Sequence, residues 1–116
     1  MNALIIANGD HPSDDLLCSL IPAHPLVILT DGAANRFAGR LPTAYVIGDF
    51  DSIDKSILSS VPAELRIPVF DQEQCDLEKA IQFAISSKAT SISIVGAGGG
   101  RLDAIRHRRR RKRRAD

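Results

Sequence analysis

Ala44-Tyr45-Val46-Ile47-Gly48-Asp49-Phe50-Asp51-Ser52 places two carboxylates two positions apart, immediately after a short apolar run and a glycine. If the apolar run is a strand, both acids lie at its carboxyl end, the edge on which open α/β sheets bind ligands. Close carboxylates repel one another unless a positive group sits between them, and hydrated Mg²⁺ carrying phosphates meets that need. The same peptide also reads as a polar surface turn, because Gly, Asp and Ser all favour turns. The flanking sequence decides between the two.

Apolar runs recur on either side at a steady interval. Ala3–Ala7, Leu26–Thr30, Ala44–Ile47, Arg66–Phe70 and Ser91–Val95 read as strands. Pro68 makes the fourth an edge or irregular strand. Helices are predicted over Pro12–Leu20, with Asp14 and Asp15 in the first turn, over Ala33–Phe37, around Asp54–Leu58 and over Cys75–Ser87. In the last of these, Leu77, Ala80, Ile81, Ala84 and Ile85 fall on one helical face. Alternating strands and helices predict a Rossmann-like α/β fold, a parallel sheet with helices on both faces.

A parallel sheet brings every strand's carboxyl end to one edge. Asn8-Gly9-Asp10, Asp31-Gly32, Gly48-Asp49-Phe50-Asp51, Asp71-Gln72 and the run Gly96-Ala97-Gly98-Gly99-Gly100 leading to Arg101 and Asp103 then meet there. Such convergence favours the metal reading over the turn. Glycines allow phosphates close to backbone N–H groups, and Arg36 and Arg101 can grip phosphate oxygens bidentately. Phosphoryl or nucleotidyl chemistry with Mg²⁺ fits this combination. The glycine run lacks the acid of a dinucleotide fold and the Gly-Lys-Ser/Thr ending of a Walker loop. His11 and His24 adjoin prolines and are expected in exposed loops.

The ordered stretches Asn8-Gly9, Asp31-Gly32-Ala33-Ala34-Asn35-Arg36, Gly48-Asp49-Phe50-Asp51-Ser52, Asp71 to Ala80 and Gly96 to Asp103 resemble the thiamine pyrophosphokinase (thiamin diphosphokinase) family, across residues 1–103. The resemblance implies an ATP- and Mg²⁺-dependent transfer of pyrophosphate to the hydroxyl of thiamine, with release of AMP. It implies Asp49, Asp51, Asp71 and Asp76 as catalytic acids, with Asp49, Asp51 and Asp71 as metal ligands. Asp31, Asn35, Arg36, Gln72, Arg101 and Asp103 become the substrate- and nucleotide-binding set. Cys75 stands where the family commonly has Thr, and Gln74 where it often has Lys. A homodimer is the family expectation, completed by a C-terminal domain that helps to bind thiamine.

Composition limits the alternatives. The chain has 116 residues, 44% of them hydrophobic, the size of one small domain. No apolar run reaches the ~18 residues of a membrane span. Met1 to Asn8 lacks the basic start and long apolar core of a secretory signal. Cys18 and Cys75 have no metal-ligand spacing and read as reduced thiols of a cytoplasmic protein. Residues 1–105 carry seven Lys/Arg against 13 Asp/Glu, a net charge of −6. Residues 106–116 carry eight Lys/Arg against one Asp, a net charge of +7. The sequence therefore divides into a catalytic α/β domain over 1–105, incomplete at its C-terminal end, and a basic tail over 106–116 that cannot bury a core and is expected to be disordered. The abrupt change after Asp103 reads as a truncated or out-of-frame end, and the impaired activity that would follow is part of the expectation. The alternative is a non-catalytic nucleotide-binding remnant whose basic arm docks on nucleic acid.

Overall fold

The computed structural model describes residues 1–9, 13–71 and 73–96, and the backbone of 103–106. Among these residues the α-helices and strands are, in order, β1 (Asn2–Ile6), α1 (Asp14–Leu20), β2 (Leu26–Thr30), α2 (Asp31–Phe37), β3 (Tyr45–Gly48), α3 (Lys55–Ser60), β4 (Arg66–Pro68), α4 (Asp76–Ser86), β5 (Ser91–Val95) and β6 (Asp103–Arg106). They form one sheet in the order β4-β3-β2-β1-β5-β6. The first five strands are mutually parallel, as the alternating pattern predicts. Pro68 lies on the edge strand β4, where its missing N–H costs no ladder bond.

β6 departs from the expectation of a purely parallel sheet. It pairs antiparallel with β5, Ile92 opposite Ile105 and Ser91 opposite Arg106. Four residues between a glycine run and a basic run give too short a pattern to read as a strand. Arg106, assigned from sequence to the tail, is the last residue of this strand.

Side chains alternate across the sheet and build two cores. Leu4, Ile6, Leu29, Val46 and Val95 face one layer with Leu17 of α1, Ala33, Ala34 and Phe37 of α2, and flanking α3 residues such as Ile57. Ala3, Ile5, Ile28, Ile47, Ile92 and Ile94 face the other, against Ala80 and Ala84 of α4. Both faces are thus covered, and that is why the central strands β1, β2 and β3 read as nearly continuous apolar runs. Leu4, Ile5, Ile6, Ile28, Leu29, Ile47 and Ile92 are fully buried. Each such side chain contributes about 1.5–3 kcal/mol over its exposed state.

Local chemistry sets the helix boundaries. The Leu16 N–H donates to Ser13 Oγ at 3.1 Å and opens α1. The Cys75 N–H donates to the Glu78 carboxylate at 3.0 Å and opens α4, one residue later than its apolar pattern suggests. α2 begins at Asp31, two residues before the predicted start. Thr30, extended at φ −70° and ψ 160°, ends the strand and stands at the N-cap position of the helix, without a side-chain cap bond. His24 is buried, against the exposed-loop expectation. Its Nδ1 meets Leu20 O at 2.6 Å and its Nε2 meets Ser93 Oγ at 3.0 Å. A carbonyl only accepts, so Nδ1 carries the hydrogen.

Two glycines allow close packing at the carboxyl edge. A Cβ on Gly32 would lie 2.4 Å from Asn8 Nδ2. Gly48 adopts φ +145°, and a Cβ there would lie 3.0 Å from Asp31 Cγ. At both positions a protein side chain fills the space that the sequence suggested for a phosphate. Gly39 has nothing within 4 Å of its absent Cβ. Gly48→Ala is therefore expected to lower stability by about 2 kcal/mol or more, through backbone strain and the clash with Asp31. Gly39→Ala stays within about 1 kcal/mol of wild type. Urea unfolding of the two variants checks this, and equal losses would refute the packing role of Gly48.

Candidate functional site

The chain runs outward from β1 through β2 and β3 to β4, then returns through α4 to β5 on the other side of β1. Strand order reverses at β1, so the crevice beyond the carboxyl ends of β1 and β5 is the switch point where such sheets take ligands. A cleft of about 220 Å³ lies there. Its walls are Ala7, Asn8 and Gly9 after β1, Thr30 at the end of β2, Gly96 after β5, and Cys75, Asp76 and Leu77 at the start of α4. Thr30 Oγ1 is buried with no hydrogen-bond partner. A second hollow of about 280 Å³, lined by residues such as Ala38, Leu41, Pro42 and Val61, sits at the opposite end of β3. Ionisable side chains are missing from its lining, whereas Asp76 lines the first.

Beside the cleft, ligand oxygens of Asp31, Asp49 and Asp51 all lie within 4.8 Å of one another. Asp31 is fully buried, Asp49 half-buried and Asp51 exposed, so the group opens from the core to solvent. Asp31 Oδ2 accepts from the Phe50 N–H at 3.1 Å, whereas Oδ1 is buried without a partner. Burial, followed by the hydrogen-bonding proximity and charge of Asp76, pushes the Asp31 carboxyl up to about 6. The N–H groups of Gly32 and Ser52 pull it the other way. Asp49 moves in the opposite sense. The Asp51 side chain and its N–H, 3.2 Å from Asp49 Oδ1, hold Asp49 below the ordinary carboxylate range. Opposed shifts of neighbouring acids recur at functional sites and also in structural charge networks. Three hard oxygen donors at this spacing, one buried and lacking a partner, fit a small divalent cation.

Asn35 fixes the loop that carries two of the acids. Its Nδ2 donates to Ser52 O at 2.8 Å, and its Oδ1 accepts from the Asp54 N–H at 2.7 Å. One amide thus ties α2 to both sides of the turn. Phe50 sits at φ +65°, a left-handed conformation rare for an aromatic residue, which these bonds and its N–H contact with Asp31 hold in place.

The residues expected from sequence fall in several places. Asp31 joins Asp49 and Asp51, although it was assigned to the nucleotide set. Asp71 lies outside that group; it is exposed, and its carboxylate accepts from the Glu73 N–H at 2.9 Å in its own turn. Asp76 lines the cleft and lies 3.6 Å from Lys79. Arg36 is exposed in the last turn of α2. Gln72 and Arg101 lie outside the described residues, and Asp103 is described only as the backbone start of β6, opposite Ile94. Lys79 was missed. It is 5% exposed and sits one turn beyond Asp76 on α4. The Asp76/Lys79 spacing was the available signal, hidden beside the apolar face of the helix.

Known proteins supply an independent line. The model of the thiamin pyrophosphokinase catalytic domain matches residues 17–108. Thiamine pyrophosphokinase from Bacillus subtilis superposes with a TM-score of 0.69 at 28% identity, covering 87% of this chain and 49% of that one. Thiamin pyrophosphokinase from Candida albicans gives 0.57 at 26% identity, covering 72% and 32%. The yeast enzyme gives 0.60 at 23%, covering 72% and 31%, an identity that speaks to fold alone. The chain therefore spans between about a third and a half of these proteins' length. No curated protein sequence matches it. The extent of the domain match, carried on a sheet whose carboxyl edge gathers the acids, establishes that this chain belongs to the thiamin pyrophosphokinase family, in its catalytic domain.

Proposed function

We propose that the chain acts as a thiamine diphosphokinase, transferring the pyrophosphoryl group of ATP to the hydroxyl of thiamine with Mg²⁺ as cofactor. The observation that carries this reading is the Asp31, Asp49 and Asp51 group at the switch-point edge, with a buried oxygen lacking a partner. In the reaction a bond forms between the thiamine hydroxyl oxygen and the β-phosphorus. The bond from that phosphorus to the α-phosphate oxygen breaks, AMP leaves, and the hydroxyl proton passes to solvent or a base. No covalent protein intermediate is needed, so alignment and charge neutralisation supply the catalysis.

The residues divide by what they touch. Asp31, Asp49 and Asp51 would hold Mg²⁺, and Asp76 would extend the acidic set toward the cleft. When bound, the cation neutralises phosphate charge and aligns the reacting groups. Asn35 keeps Asp51 and Ser52 in register with α2. Arg36, Gln72, Arg101 and Asp103 are proposed contacts to nucleotide or substrate, with Asp71 a further acid beside them. Thiamine binding and dimerisation in the longer relatives are expected to involve the length that this chain does not span.

Chromatographic detection of thiamine diphosphate and AMP after incubation with ATP, Mg²⁺ and thiamine tests the reading. Product should form, and Asp49→Asn or Asp51→Asn should abolish it; product that persists in both variants would exclude the acids from the reaction. Asn35→Ala should cost roughly 10- to 100-fold in Mg²⁺ affinity or activity, the range for residues that orient ligands. An unchanged value would show that the loop holds itself.

Proton and cation compete for Asp31. Its folded pKa lies above its unfolded value, so its contribution to stability is fully present below about pH 4 and is lost as the pH rises through about 6. Asp31→Asn has no such titration. In metal-free buffer the melting temperature of Asp31→Asn should therefore gain on wild type between about pH 4 and 7. A constant difference across that range would contradict the buried, ionising Asp31.

A further inference from the structure

We infer that Lys79 is the resident counter-charge of the carboxylate group: it keeps the acids compatible before a cation arrives, and it sets cation affinity by opposing it. The inference rests on the divalent-cation reading of Asp31, Asp49 and Asp51.

Lys79 lies in α4, and only 5% of its surface is exposed. A buried ammonium is costly unless it is paired, so its position calls for a partner. Asp76 is that partner, with Nζ 3.6 Å from Oδ1. This exceeds the 2.7–3.2 Å of a direct N–H···O bond, so the ammonium acts as a charge beside the acids and is not locked to one of them. Its influence continues beyond Asp76. Asp49, on the loop after β3, also feels the positive charge of Lys79. Asp76 in turn interacts electrostatically with Asp31, whose Oδ1 is buried without a partner. Four acids and one cation form a connected set, reaching from α4 through the end of β2 to the loop after β3.

The set carries more negative charge than a single ammonium balances, and this leaves room for a divalent ion. Lys79 and that ion repel one another, so removing the lysine charge should tighten metal binding while destabilising the metal-free protein. A lysine with only a packing role behaves differently: its loss weakens the fold and the metal site together.

Titration of the full chain with Mn²⁺ alone, followed by electron paramagnetic resonance and by melting temperature, separates these cases. Lys79→Met should bind Mn²⁺ about tenfold more tightly than wild type, the scale expected for losing one nearby charge at protein-like dielectric. Its metal-free melting temperature should fall. Lys79→Arg, which keeps the charge, should retain the wild-type affinity. If Lys79→Met does not fold, Lys79→Gln carries the same comparison. Equal or weaker Mn²⁺ binding by the neutral variants overturns the counter-charge role alone. A wild-type chain that binds no Mn²⁺ overturns the cation reading, and the role of Lys79 with it.

Discussion

A carboxylate with no solvent exposure, Asp31, joins the end of β2 to the start of α2, and the site is arranged around it. One oxygen is tied to the Phe50 N–H and the other has no partner. Burying an ionised group in this way is costly unless charge or hydrogen bonds compensate. The helix N-terminus contributes part of the compensation. The unpaired oxygen is the remainder, and a divalent cation shared with Asp49 and Asp51 would satisfy it. Gly48 lies against Asp31 because a Cβ there would collide with the carboxylate. The glycine before the paired acids therefore serves the site through packing.

The same constraint explains why the loop after β3 is so closely specified. Gly48 takes a φ that L residues rarely adopt, and Phe50 adopts a left-handed conformation although it is aromatic. Asn35 then fastens both sides of the turn to α2. Strain in the loop and the amide that holds it place Asp49 and Asp51 opposite Asp31. Positioning costs of this kind are common where a site must be ready before its ligand binds.

Much of this was legible in the sequence. Leu26–Thr30 and Ser91–Val95 could be bounded to the residue, because aliphatic and β-branched runs stop at acids, glycines or turns. α4 showed its buried face through Leu77, Ala80, Ile81 and Ala84. Asp49 and Asp51 could be placed together because a strand's carboxyl end sets where following residues lie. Tertiary proximity was harder to read. Asp31 followed by Gly32 resembles a turn, yet Thr30 ends a strand and starts a helix without a loop, and so Asp31 enters the carboxylate group. Asp71 sat at an equivalent strand end, but its carboxylate closes its own turn. Lys79 was obscured because burial of a lysine depends on partners distant in sequence. His24 was misplaced for the same reason: Ser93, its partner, lies on β5.

Asp31, Asp49 and Asp51 are proposed to hold one divalent cation together. Anomalous diffraction at the manganese edge, from crystals of the full chain grown with Mn²⁺, tests it most directly. One strong peak is expected within about 2.5 Å of a carboxylate oxygen from each of the three residues, the reach of a hard cation. A peak bound elsewhere, or none with the three carboxylates well ordered, would contradict it.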